Sequence, residues 1–188
     1  MAEVIVIGAG PAGASAALFL AKAGKETLVL DSNASMTKRA WIENHYGAKD
    51  ISGPDLLKIG REQAEKFGAK FIEEKVTHID ANGGSTVTVK TESGRGYEAS
   101  HIILATGALT DLANATGLEL KEGREPRIKT VVATDGQGRT SVPRIWAAGT
   151  VAGVSVHTII TAGDGAKVAI ELISEINGER YVDHDVLK

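Results

Sequence analysis

Gly8, Gly10 and Gly13 stand in the spacing GxGxxG, between a short apolar run and an alanine-rich segment. No other feature restricts the fold as much. Val4–Ile7 is an apolar run ended by Gly8, which predicts a parallel strand buried on both faces. Pro11–Ala23, rich in alanine and followed by Gly24, predicts a helix with a glycine cap. Thr27–Leu30, ended by Asp31, predicts a second strand and completes a right-handed βαβ unit. In such a unit the first glycine permits a tight turn. The second lets backbone approach a pyrophosphate, and the third lets helix and sheet pack closely. Pro11 and Ala12 complete the turn, and the helix amides and dipole face the phosphates. Asp31 lies 18 residues after Gly13, where a carboxylate accepts both hydroxyls of an adenosine ribose and repels a 2′-phosphate. Ser32 follows it. These residues point to a dinucleotide without separating FAD from NAD.

Farther along, Ser32–Lys49 has no clean period and predicts a long, partly irregular connection. Ser52–Phe67 predicts a helix, with Gly53–Pro54 at its start. Lys70–Glu73 predicts a short strand. Val76–Asp80 and Thr86–Lys90 alternate about Asn82–Gly83–Gly84, a hairpin-like turn, and Tyr97–Ala99 adds a third antiparallel strand. His101–Leu104 predicts a buried strand ending at Ala105, Thr106 and Gly107. Residues 108–125 yield no assignable element. Val131–Ala133 and Ile145–Ala147 predict strands, and a last helix is expected over about Val156–Asn177 before a short polar tail, Tyr181–Lys188. The expected fold class is α/β: a three-layer ββα Rossmann-like domain with a parallel sheet and a small antiparallel crossover sheet.

Composition excludes several chemistries. The chain has no cysteine, so it carries no disulfide, thiolate nucleophile or CxxC pair. Its 188 residues leave no room for two full dinucleotide domains, each wanting on the order of 150 residues. The net charge of −3 gives no basic surface, so no nucleic-acid partner is expected. No apolar stretch reaches the roughly 20 residues of a membrane helix, and the five histidines show no metal-binding spacing. A cytoplasmic protein with no membrane contact and no metal is the expectation.

Four segments carry a resemblance. Ile103–Gly107 has the ATG form found at a strand end in two-dinucleotide flavoproteins, and Thr140–Gly149 (TSVPRIWAAG) resembles their TSVPGIFAAG segment. Glu43–Gly47 (ENHYG) resembles the ENFPG stretch of thioredoxin reductases, and Ile160–Ala166 resembles the start of their last helix. The order is also right. The chain thus resembles the thioredoxin-reductase-like branch of the FAD-dependent pyridine nucleotide-disulfide oxidoreductases. In that family an NADPH domain lies between the ATG strand and the TSVP segment. Here only about 32 residues separate Gly107 from Thr140. The resemblance therefore implies a single FAD-binding domain over 1–188, formed as two joined halves (about 1–110 and 117–188), with no NADPH domain.

The resemblance also implies residue roles. Gly8, Gly10 and Gly13 would hold the FAD pyrophosphate, and Asp31 the adenosine ribose. Asn44 would lie by the flavin or its ribityl chain, and Val76 would meet the adenine through backbone groups. Ala105, Thr106 and Gly107 would line the groove. Gly149 and Thr150 would approach the ribityl and pyrophosphate, Thr150 standing where the family has Asp. His157 and Thr158 would begin the last helix near the flavin, Val156–His157 replacing the family's Arg-Gln pair. His45 and His157 are the candidates for a catalytic role. Trp41 and Tyr46 would stack on the flavin, pack the loop or fill a subunit contact. Asp164 would serve within the last helix, not in chemistry. His78 and His101 read as strand residues without a specific role. The implied function is a small FAD oxidoreductase, with NADH or NADPH as transient electron donor or a redox partner protein, as a homodimer. The alternatives are a non-catalytic FAD-binding subunit or sensor, and an NAD-binding module without flavin.

Overall fold

The computed structural model describes residues 1–81, 84–183, 185 and 186, so Asn82 and Gly83 of the expected turn, and His184, Leu187 and Lys188 of the tail, lie outside the described residues. Strand β1 (Ala2–Ile7) runs into the glycine turn, helix α1 (Pro11–Lys22) leaves it, and β2 (Thr27–Asp31) returns parallel to β1. Pro11 sits at the first helical position, where a missing N–H removes no intrahelical bond. Gly24, at φ +77°, follows the C-cap Ala23 and ends the helix in the left-handed conformation.

The connection expected to be irregular contains a 3-10 turn at Met36–Arg39 and a two-residue antiparallel ladder between β3 (Trp41–Ile42) and β4 (Ile51–Ser52). It is pinned to α2 (Gly53–Lys66), because a Cβ on Gly53 would lie 1.6 Å from the Thr37 carbonyl oxygen. Ser52 caps α2, its Oγ accepting from the Asp55 amide at 3.2 Å. Strands β5 (Lys70–Glu73), β6 (Val76–Asp80) and β7 (Val87–Thr91) follow.

Tyr97–Ala99 and His101–Leu104, expected as separate strands, form one nine-residue strand, β8 (Gly96–Leu104). The reason lies in its edges. One edge pairs with β1 from Ala2↔Ala99 to Ile7↔Leu104. The other serves β7, antiparallel, along its first half and then β11 (Ile145–Ala147), parallel, along its last three residues. Between β8 and β11, the unassigned stretch holds helix α3 (Asp111–Ala115) and strand β9 (Leu120–Glu122), which pairs with β10 (Thr130–Val132). An element of three or five residues is too short to show a period. The last helix, α4 (Thr158–Asn177), begins two residues later than expected, because His157 is extended (φ −62°, ψ 132°) and acts as its N-cap.

The seven-stranded sheet runs β5-β2-β1-β8-β7-β6, with β11 beside β8. Side chains alternate along β1 between the two faces. Val4 and Val6 join Leu20, Ile103, Trp146, Leu172 and Ile173 under the α1 and α4 layer. Ile5 and Ile7 join Leu30, Val87, Val89 and Ile145 on the opposite face. Asp183 and Asp185 of the tail lie against α1, where Lys22 pairs with them at 3.1 Å and 2.5 Å.

Helices α1 and α4 touch at backbone distance. A Cβ on Gly165 would fall 2.0 Å from the Ala12 carbonyl oxygen, whereas one on Gly163 meets nothing within 4 Å. Gly165→Ala should therefore lower Tm by about 3–10 °C, from an overpacking cost of about 1–3 kcal/mol. Gly163→Ala should leave Tm unchanged or raise it, through better helix propensity. Thermal unfolding followed by circular dichroism checks the pair.

Candidate functional site

The parallel strands β1, β2, β5, β8 and β11 all end at one edge of the sheet, and the loops that leave them gather there. In open α/β sheets this edge is where ligands bind. Each contact among those loops has a local cause. Gly8 has φ +102°, and a Cβ there would lie 2.5 Å from the Ala105 carbonyl oxygen, which follows β8. On Gly13 a Cβ would lie 1.8 Å from the Gly8 carbonyl oxygen. Neither position accepts a side chain, so the fold alone demands both glycines. Gly10 differs. Its φ of −65° suits any residue, and a Cβ there would meet only the Ser35 hydroxyl, at 3.4 Å. The protein itself leaves the approach to this backbone open.

Asp31 closes one side. The Ala9 amide donates to its Oδ1 at 3.2 Å, which ties the glycine turn to the end of β2 and leaves Oδ2 for other donors. Ser32 is exposed beside it. The Glu74 amide donates to the Asp31 carbonyl at 3.0 Å, bringing the chain ahead of Val76 to the same corner. The Val76 side chain is buried in the core, so only main chain there can face a ligand. On the other side Thr106 is half-buried and donates its hydroxyl to Leu109 O at 2.7 Å, and Gly107 is exposed at φ +66°. Gly149 has φ +78° and packs on α1, where a Cβ would lie 2.6 Å from that of Ala12. Thr150 follows it in a 3-10 turn, half-buried.

Both helices that start at this edge carry open N-termini. Neither Gly10 before α1 nor His157 before α4 makes a side-chain cap, and neither first turn holds an acidic residue. The amides and dipole of each therefore favour an anion or a carbonyl. His157 is exposed, and its Nδ1 lies 2.8 Å from Ser155 Oγ. His45 is half-buried, and its Nδ1 lies 2.9 Å from Thr158 Oγ1.

The structure thus brings together Gly8–Gly13, Asp31, Ala105–Gly107 and Gly149–Thr150 as one group, and His45 with Thr158 as another. Asn44 is exposed, and no hydrogen bond among the described residues joins it to the turn. Trp41 and Tyr46 are 66 % and 92 % exposed, so they do not pack the loop. His101 lies away from the site; burial first, and the Arg144 charge second, hold its imidazole below the usual range. Among the described residues no three His, Asp or Glu side chains are grouped to hold a metal ion, and no helix is long and apolar enough to cross a membrane.

One participant in the site was not recognised from the sequence. Asp164 accepts from the Gly149 amide at 2.8 Å through Oδ2, and its side chain is only 10 % exposed. It holds the strand-end glycine from α4. The resemblance of Ile160–Ala166 to a last helix was the available signal, but it did not reveal this partner.

A profile of the pyridine nucleotide-disulphide oxidoreductase family matches residues 2–131. The thioredoxin reductase of Aquifex aeolicus is 42% identical over 126 residues, which cover 65% of this chain and 39% of that protein. The thioredoxin reductase of Listeria innocua is 37% identical over 126 residues, again 65% of this chain and 39% of its own length. The chain thus spans about two fifths of these curated relatives (39% in both). Among solved structures, a thioredoxin reductase from Gloeobacter violaceus superposes with a TM-score of 0.84 at 18% identity, covering 99% of both chains. The atypical thioredoxin reductase TRi from Desulfovibrio vulgaris Hildenborough gives 0.77 at 21% identity, covering 95% of this chain and 99% of that one. At these identities the likeness is one of fold.

The glycines separate fold from ligand. Gly10→Ala should keep Tm within about 2 °C and weaken dinucleotide binding at least roughly tenfold. Gly13→Ala should lower Tm itself, by about 5 °C or more. Thermal unfolding and a titration with FAD and NAD distinguish the two.

Proposed function

The chain belongs to the pyridine nucleotide-disulphide oxidoreductase family, and on that footing we propose that it binds FAD along the C-terminal edge of its parallel sheet and acts as an FAD-dependent oxidoreductase. The observation that carries this reading is Gly10, a glycine that neither its φ nor any neighbouring atom requires, in the middle of the turn where a pyrophosphate is recognised. The residues present fit the cofactor. Gly8, Gly10, Pro11, Ala12 and Gly13 cradle the pyrophosphate, with the α1 amides donating to it. Asp31 takes the adenosine ribose hydroxyls, Ser32 flanks it, and the Val76 backbone meets the adenine. Ala105, Thr106 and Gly107 line the groove beside Gly149 and Thr150. A hydroxyl at Thr150 gives up the charge-assisted bond an Asp would make, which costs about 1 kcal/mol of affinity. Asn44, His157 and Thr158 border the flavin ring system.

When bound, FAD supplies two-electron chemistry that no side chain of this protein can provide. The protein's share is to orient the cofactor, keep the amides of α4 aimed at its pyrimidine edge, and admit reductant and acceptor. We place one cofactor domain over the whole chain, its halves of about 1–110 and 117–188 joined near α3, with no NADPH domain between Gly107 and Thr140. NADH, NADPH or a redox partner protein then delivers electrons from outside. With no cysteine in the chain, the acceptor is not a disulfide of its own. The exposed Trp41, Tyr46, Ile159 and Ile160 favour a homodimer in which a second copy covers this flank.

The purified protein, reconstituted with FAD, should show flavin absorbance bands that bleach on anaerobic addition of NADH, NADPH or a reduced partner. A protein that retains no FAD under these conditions would overturn the reading. FAD that stays bound and resists every reductant offered would instead assign a non-catalytic cofactor module.

A further inference from the structure

The bond between His45 and Thr158 joins residues 113 apart in sequence and ties the loop after β3 to the first residue of α4. Three observations single it out. His45 is half-buried while Asn44, Tyr46 and Gly47 on either side are exposed, so the loop turns inward at this residue. Thr158 stands at the start of a helix with no side-chain cap. The other hydroxyl of that turn, Thr161, is spent on the carbonyls of His157 and Thr158, at 3.3 and 3.1 Å. Thr158 is therefore the hydroxyl left to face a ligand.

A hydroxyl has one proton and two lone pairs. If His45 Nδ1 carries its proton, Thr158 Oγ1 accepts it, and the threonine proton is free to be donated outward. If Nδ1 is bare, Thr158 donates inward and presents only lone pairs. The histidine tautomer thus sets the polarity of the group beside the open amides of α4. Those amides are donors, and they suit a carbonyl or an anion. A matching donor requires the Nδ1–H tautomer.

We propose that His45 is a positioning residue which, as the Nδ1–H tautomer, turns the Thr158 hydroxyl outward as a hydrogen-bond donor to a carbonyl on the pyrimidine edge of the bound flavin. This rests on the FAD reading above. His45 touches no reacting atom and acts only through Thr158. Of the charged groups on the two elements, Glu43 accepts from Trp41 Nε1 at 3.1 Å, and Asp164 is held by Gly149 with Lys167 3.7 Å away. Lys49 and Asp50 are exposed at the far end of the loop.

The test is a double-mutant cycle on FAD affinity and on the reduction potential of bound FAD. His45→Phe restores the residue of the ENFPG stretch, so it is compatible with the fold, and Thr158→Val is nearly isosteric. Each single variant should weaken FAD binding about fivefold, the worth of one buried hydrogen bond. Each should also lower the potential by about 20 mV, because the reduced form loses about a further fivefold in affinity beyond the loss suffered by the oxidised form. The double variant should be no worse than either single one, because one hydrogen-bonded unit is lost in all three. His45→Asn, which keeps a polar atom near the place of Nδ1, should recover most of both losses. In the apoprotein, nitrogen NMR should show His45 with its proton on Nδ1. Losses that add in the double variant, a His45→Phe protein with unchanged affinity and potential, or an Nε2–H tautomer would each overturn the proposal. If the wild-type protein itself fails to bind FAD, the cofactor reading fails. If it binds normally and the cycle is flat, this inference alone fails.

Discussion

The first turn of helix α1 lies against its neighbours with almost no side chains between, and the geometry of the site depends on that closeness. Gly13 sits on the Gly8 carbonyl, Gly165 on the Ala12 carbonyl, and Gly149 on the Ala12 methyl. Three glycines from three parts of the chain thus converge on one helical turn. With a Cβ at any of them, α1 would have to move away from β1, α4 or the loop after β11. The helix N-terminus would then no longer stand over the strand ends. The close approach is also what brings Ala105, Asp31 and Gly149 to the edges of one groove, where each loop is held by a backbone contact or a single hydrogen bond.

The second determinant is strand β8. It carries β1 on one edge from Ala99 to Leu104 and divides the other edge between β7 and β11. This division makes the sheet parallel where the strand ends meet the glycine turn and antiparallel along β7 and β6. Strand β11 and helix α4, which follow residue 140, complete the layers begun by the first thirty residues. A long insertion between Gly107 and Thr140 is not needed to close the sheet, since α3 and the β9–β10 pair bridge that interval with short elements.

The βαβ unit was legible because its signals are local. Val4–Ile7, the glycine spacing and Asp31 lie close together in the sequence, and the structure builds them into β1, the turn before α1 and the end of β2. The end of β8 and the whole of β11 were legible for the same reason. The short elements were not: β3 and β4 are two residues each, and α3 is five. Tyr97–Leu104 read as two strands because nothing in the sequence shows that one edge can serve two partners. The contacts of Asp164 with Gly149 and of His45 with Thr158 were hidden by distance along the chain. Each residue was visible, but its partner is fixed only when α4 docks on α1.

We propose that one edge of the parallel sheet holds FAD. The most direct measurement is residue-resolved amide NMR of the protein as FAD is added. The shifts should concentrate at Gly8–Ala14, Asp31, Ala105–Gly107, Gly149–Thr150 and the first turn of α4, with the far ends of the same strands unaffected. Saturable binding whose shifts fall elsewhere, or no shift at this edge at FAD concentrations well above those that saturate related flavoproteins, would contradict it.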